Sequence, residues 1–155
     1  MAYSNALTEA LDRAGTAYEI LDHSPTDRAA DEAAALGLRS GEVAKTIVVT
    51  GGTGSTRVVL PAAARIDMHK LRDLLDAGKE LHLLSEEALG RDYPEFELGA
   101  VPPIGGRQDA VIVDRRIAEL ENVVFEAGTH DRSVRVAAAD LISLTKAKIA
   151  DVCAD

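Results

Sequence analysis

The chain has 155 residues, 46% of them hydrophobic, with 17 basic against 26 acidic side chains and a formal net charge of −9. That length and apolar content suit one globular domain over residues 1–155 with a sizeable core, while the excess of acid excludes a protein that coats long nucleic acids, whose affinity comes mainly from Lys and Arg on phosphates. No apolar stretch approaches the roughly 20 residues that cross a bilayer, and Asn5, Glu9 and Asp12 break any signal-peptide pattern, so a cytoplasmic protein without a membrane partner is expected.

Ser4 or Asn5 can cap a first helix in which Ala6, Leu7, Ala10, Leu11 and Ala14 share one face, and Gly15 ends it. Tyr18, Ile20 and Leu21 read as a short strand. Pro25 and Thr26 then open an alanine-rich helix from Asp27 to Leu36, closed by Gly37. Two β-branched runs, Thr46 to Thr50 and Arg57 to Leu60, flank Gly51-Gly52-Thr53-Gly54-Ser55 and predict a hairpin. A phosphate-cradling loop would need a Gly-Lys-Ser/Thr ending and a following helix, whereas Thr56-Arg57-Val58-Val59-Leu60 continues as strand. Asp67 can cap a helix from Met68 to Leu75, Leu81 to Leu84 forms a strand, and Ser85 can cap the turn Glu86 to Leu89. Ala110 to Val113, Val123 to Ala127 and Ser133 to Val136 read as strands, and Ala138 to Leu144 as a closing helix. Five to seven strands interleaved irregularly with helices predict an α/β, α+β-like fold on a mixed, largely antiparallel central sheet with flanking helices, built more from hairpins than from regular crossovers.

Lys45 carries the most information. A charge at the mouth of Thr46-Ile47-Val48-Val49-Thr50 costs several kcal/mol unless it is paired or faces a site that needs a cation; the alternative is a surface lysine whose stem lies on apolar neighbours. Downstream, Gly99-Ala100-Val101-Pro102-Pro103-Ile104-Gly105 is too apolar for a solvated loop and too rich in Gly and Pro for a strand or helix. Other constellations fail. His23, His69, His82 and His130 lie far apart without His-x-His or Cys-x-x-Cys pairing, so no metal is expected. There is no Gly-x-Ser-x-Gly elbow. The lone Cys153 forms no internal disulfide and makes an unconvincing nucleophile, and Glu86-Glu87 reads as a solvated face.

The order of the alanine-rich helix, Val43-Ala44-Lys45-Thr46-Ile47-Val48-Val49, the Gly99-to-Gly105 segment and the closing stretch Phe125 to Ser133 resembles the YbaK/ProX family of aminoacyl-tRNA deacylases, relatives of the editing domain of prolyl-tRNA synthetase. The likeness runs from about His23 to Ile149. It implies a partly barrel-like sheet and hydrolysis, in trans, of the ester that joins a wrong amino acid to tRNA. The family's essential lysine matches Lys45, and its Gly-x-x-x-Pro loop matches Gly99 to Pro103. In that loop the prolines have no N–H, which leaves the N–H groups of Ala100 and Val101 as donors for an oxyanion. Substrate-binding places fall by the same resemblance on His23, Pro102, Ile104, Gly105, Gly128, His130, Asp131 and Ser133; for His130 and Asp131 the other reading is a plain polar turn between strands. Pro102 departs from the small hydroxyl residue that many relatives carry there. The implied partners are a tRNA acceptor end and an aminoacyl-tRNA synthetase, with no DNA, no membrane and no cofactor. A grip on one RNA end fits the acidic chain if Lys45, Arg65, Lys70, Arg107 and Arg132 converge. With no side chain standing out as a general base, the vicinal ribose hydroxyl of the substrate would orient the water. Two other functions stay open on the residues alone: a non-catalytic module that holds an aminoacylated end or nucleotide, and an esterase for small aminoacyl esters.

Overall fold

The computed structural model describes residues 5–26, 29–51 and 54–155. Leu7 and Leu11 turn one side of α1 (Ala6–Arg13) inward. Asn5 holds the N-cap position but makes no side-chain capping bond, contrary to expectation, and Ser4 lies outside the described residues. After β1 (Tyr18–Asp22) the alanine-rich helix is α2 (Ala29–Ala35); its expected start at Asp27 is outside the described residues. The hairpin forms as expected from β2 (Ala44–Thr50) and β3 (Ser55–Pro61), in register from Ala44 opposite Pro61 to Thr50 opposite Ser55. Lys45 is therefore inside β2 rather than ahead of it.

Asp67 caps α3 (Met68–Leu74), its carboxylate accepting from the N–H groups of His69 and Lys70. Beyond the two-residue β4 (His82–Leu83), the Ser85 hydroxyl caps α4 (Glu86–Asp92). The rest of the chain runs β5 (Ala110–Asp114), α5 (Arg115–Ala118), β6 (Asn122–Thr129), β7 (Arg132–Ala137), α6 (Ala138–Thr145) and β8 (Lys148–Ala150).

The strands form two sheets rather than one central sheet: an antiparallel β1-β7-β6 and a mixed β4-β2-β3-β5-β8, in which only β3/β5 and β5/β8 are parallel. The predicted class holds, with more strands than the five to seven expected. The two sheets touch at one parallel bridge, Val43 to Val124, and do not close into a barrel. That corrects the partly barrel-like expectation: past the bridge, β2 and β6 are held apart by an inserted segment of chain.

Strand alternation sorts the core into layers. Ala44, Val59, Val111, Val113, Val123, Phe125, Val134 and Val136 meet between the two sheets with Leu7, Leu11 and Leu141 of the helices. On its outer face the five-stranded sheet packs Val49, Val58 and Ile112 against Leu71 of α3. The outer face of the three-stranded sheet packs Val124 against Ala33 of α2, with Val43 and Ala62. No helix among the described residues is long and apolar enough to cross a membrane.

Candidate active site

Val43 and Val124 lie in one outer-face cluster, so alternation points Lys45 and Glu126, each two residues further along its strand, to that same side just where β2 and β6 part. Lys45 is half-buried. Burial lowers its pKa, and the group whose charge opposes that shift is Cys153, a thiol that burial itself pushes up to about 11 and that is therefore neutral near pH 7. Among the described residues no carboxylate pairs with the ammonium. A desolvated cation is held at the mouth of a wedge with its donors unspent.

The segment from Phe96 to Pro103 fills that wedge and ties its two edges. On the β6 side, the Glu97 N–H donates to the Gly128 carbonyl at 2.7 Å, and the Phe96 ring lies where a Cβ on Gly128 would come within 2.9 Å of it. Gly128, at φ +101°, thus serves close packing of this segment. On the β2 side, Val101 packs with Val48, Tyr93 and Phe96. Gly99 and Val101 share with Thr46, Ile47, Val48, Leu83, Leu84 and Leu89 an apolar recess of about 160 Å³. Gly99 is the exposed point of the loop, at φ +86°, which a β-branched residue rarely adopts. Ala100, Val101, Pro102 and Pro103 are buried. One expectation fails: the Ala100 N–H is already spent on the Glu97 carbonyl at 2.9 Å, so of the two proposed donors only that of Val101 remains unspent.

What holds the loop is Arg57, a residue the sequence reading passed over. Its guanidinium is 1% exposed and donates to Asp109 at 3.0 Å, to the Pro102 carbonyl at 2.8 Å, and to the carbonyls of Gly105 and Arg107 at 2.7 Å each. The Tyr93 hydroxyl donates to the same Asp109 oxygen at 2.6 Å. A buried charge of this kind is tolerable only with such a complete set of partners.

Against the loop stands a second group of residues, most of them in the closing stretch. The His130 N–H donates to Glu97 at 2.7 Å, and its ring nitrogens face Glu126 and the Leu98 carbonyl, both at 2.7 Å. Two acceptors on one imidazole call for both protons. Burial disfavours the charged ring, but the Leu98 carbonyl and the Glu126 and Glu97 carboxylates outweigh it and raise the pKa of His130. Ser133 is fully buried and donates to Glu32 of α2; its oxygen faces the His23 ring at 2.9 Å. Burial above all, then the nearby Glu126 charge, lifts Glu32 to about 7 even though the Ser133 bond and the two histidines pull the other way. Burial likewise lifts Glu126 to about 7 against the pull of His130. The structure thus brings Gly99, His130, His23 and Ser133 together and adds Glu32, Glu97 and Glu126; Val101 shares a recess with Gly99, and Lys45 is related to them by the strand alternation of β2. The available signal for Glu126 was a lone carboxylate after the apolar Val123-Val124-Phe125, whereas Glu32, beside Asp31 in the alanine-rich helix, gave none.

Other expected site residues lie elsewhere. Ile104 packs against the core between the sheets, and Gly105 abuts the backbone of Leu7 in α1, where a Cβ would come to 3.0 Å; both face away from the wedge. Asp131 is an exposed turn residue accepting from the Thr129 hydroxyl. Lys70, Arg107 and Arg132 are spent on Asp151, Asp109 and Asp22, so the five expected cations do not form one unpaired patch.

Residues 23–144 match the aminoacyl-tRNA editing domain family. The chain belongs to that family. The resemblance to YbaK-type deacylases read from its motifs is borne out, and the fold agrees. A proposed trans-editing enzyme for prolyl-tRNA synthetase superposes on this editing domain with a TM-score of 0.86 at 24% identity, covering 97% of this chain and 96% of its own. A hypothetical protein, APE2540, gives 0.87 at 24% identity over 96% and 99%, and a scaffold protein used for computational epitope grafting gives 0.86 at 23% over 97% and 96%. No protein of the curated set matches by sequence.

Proposed function

We propose that this editing domain is a hydrolase acting in trans on misacylated tRNA, with the substrate anchored by Lys45 and the Gly99–Pro103 loop. The observation that carries the reading is Lys45, a half-buried ammonium without a carboxylate partner among the described residues, on the strand whose next residues, Thr46 to Val48, line a recess with the exposed Gly99. Such a cation suits the phosphate of an RNA terminus or the oxygen of its ester. An aminoacyl ester is already activated, so positioning of water and a donor for the oxyanion supply much of what hydrolysis requires. The Val101 N–H is the donor in this reading. The recess of about 160 Å³ beside Gly99 favours a small side chain such as that of alanine, cysteine, serine or threonine. Selection by size needs a second site of this kind, because one methylene is worth only about 1–3 kcal/mol to a synthetase.

The test is deacylation of a panel of tRNAs mischarged with those four amino acids, with the correctly charged tRNAs and free aminoacyl esters alongside. Release from one or more mischarged tRNAs, in preference to the other substrates, is expected. Tight binding without release would indicate a holding module, and equal hydrolysis of the free esters would indicate a small-ester esterase.

A further inference from the structure

We infer that Glu126 is the general base of this site, taking the proton from the attacking water, with His130 as the residue that aims it and Glu32 as a second carboxylate behind it. The inference rests on the deacylase reading above and supplies the side-chain base that reading lacks.

Glu126 sits on β6 at the point where that strand parts from β2, on the side to which Lys45 projects. One of its oxygens is held by His130 at 2.7 Å, and its side chain keeps 11% exposure. The other oxygen makes no hydrogen bond among the described residues. His130 is itself fixed from three directions: by the Leu98 carbonyl, by Glu97 and by Glu126. Its Cε1 lies 3.5 Å from where a Cβ on Gly99 would stand. Glu126 is thereby positioned relative to the loop that would receive the ester carbonyl.

The step balances without any co-reactant. As the water oxygen bonds to the carbonyl carbon, its proton passes to the open oxygen of Glu126 and the carbonyl electron pair moves onto the oxyanion. When the carbonyl re-forms, the bond to the ribose oxygen breaks and that oxygen takes the proton from Glu126. Ester and water become free amino acid and a terminal hydroxyl.

The surroundings keep this carboxylate basic enough for the task. The charged or titratable groups that bear on Glu126 are His130 on the β6–β7 turn, Glu97 before the loop and Glu32 on α2. Glu32 is itself fully buried, with one oxygen unpartnered and the other bonded by Ser133. Burial, with the Glu97 carboxylate adding to it, outweighs the pull of His130 and brings Glu126 to about 7, where a general base works best at neutral pH. The cluster titrates together, so the apparent value seen in kinetics belongs to the group.

The experiment measures kcat from pH 5.5 to 8.5 on the preferred mischarged tRNA, corrected for spontaneous hydrolysis, for wild type, Glu126→Gln, Glu126→Asp and Glu32→Gln. Wild type should show an acid limb near neutrality. Glu126→Gln should lose about 10²- to 10⁴-fold in kcat, with KM little changed and the limb abolished, while Glu126→Asp should retain the limb at a reduced rate. Glu32→Gln should move the limb to lower pH, and an unmoved limb would remove Glu32 from the cluster. An active wild type with a Glu126→Gln variant of equal rate and profile would remove Glu126 while leaving the deacylase reading intact. A pH-independent wild-type kcat would do the same without recourse to a variant. A wild type that deacylates no tRNA of the panel would remove that reading and this step with it.

Discussion

The Arg57 guanidinium donates to the Pro102 carbonyl at 2.8 Å, so the loop carrying Gly99 hangs from β3, the strand paired with the one that carries Lys45. Alternation puts the two cations on opposite faces of that hairpin, since Lys45 stands opposite Leu60 and Arg57 opposite Val48. One is fully partnered and structural. The other has its donors unspent.

Replacing Arg57 by Ala should unfasten the loop and leave Asp109, itself 2% exposed, as a buried charge without its partner. Breaking a buried pair in this way costs about 3–5 kcal/mol, which in a chain of this size is a fall of roughly 10 °C in Tm. Arg57→Lys should recover little of it, because an ammonium cannot reach the separate acceptors that the guanidinium fork spans. Thermal melts check both variants, and a Tm within about 2 °C of wild type would contradict the role.

Gly99→Val should damage catalysis more than folding. The position is exposed, but its φ of +86° is rarely open to a β-branched residue, and the new side chain would press on the His130 ring 3.5 Å away. Loss of an aligned oxyanion donor predicts a fall of about 10²- to 10³-fold in kcat, with Tm lowered by only a few degrees. A folded variant of undiminished rate would show that the ester carbonyl binds elsewhere.

Glu32→Gln should flatten the dependence of stability on pH. The folded-state pKa of Glu32, about 7, lies above its ordinary value, so folding favours the protonated form. The stabilisation is fully present below about pH 4.5 and is lost as pH rises through 7. Glutamine stays neutral throughout. Melts at pH 5 and pH 8 should therefore show the variant gaining on wild type at the higher pH, and parallel profiles would contradict the burial of a titrating carboxyl.

The parts legible in the sequence were those whose signal is local. The β2–β3 hairpin announced itself by two β-branched runs about a glycine cluster, and Asp67 and Ser85 by a capping residue ahead of an apolar pattern. The four-residue α5 and three-residue β8 are too short for any period to show, and β8 forms only by long-range parallel pairing with β5. The division into two sheets was hidden for the same reason, since it depends on where Val43 meets Val124. In the site, Lys45 and Gly99 stood out because a charge in an apolar strand and a glycine–proline segment each need a physical reason. Arg57 carried the same signal as Lys45, and Glu126, after Val123-Val124-Phe125, carried it too. Only distance in space separated the structural cation from the candidate anchor, and the sequence holds no distances.

The central claim, that Lys45 with the Gly99–Pro103 loop anchors a misacylated tRNA for hydrolysis, is tested most directly by comparing release of the amino acid from the preferred mischarged tRNA by wild type and by Lys45→Ala under single-turnover conditions. The ammonium lacks a carboxylate partner among the described residues, so the variant should fold with an unchanged Tm, lose deacylation, and recover little of it as Lys45→Arg. Equal single-turnover rates for wild type and a folded Lys45→Ala would contradict the account.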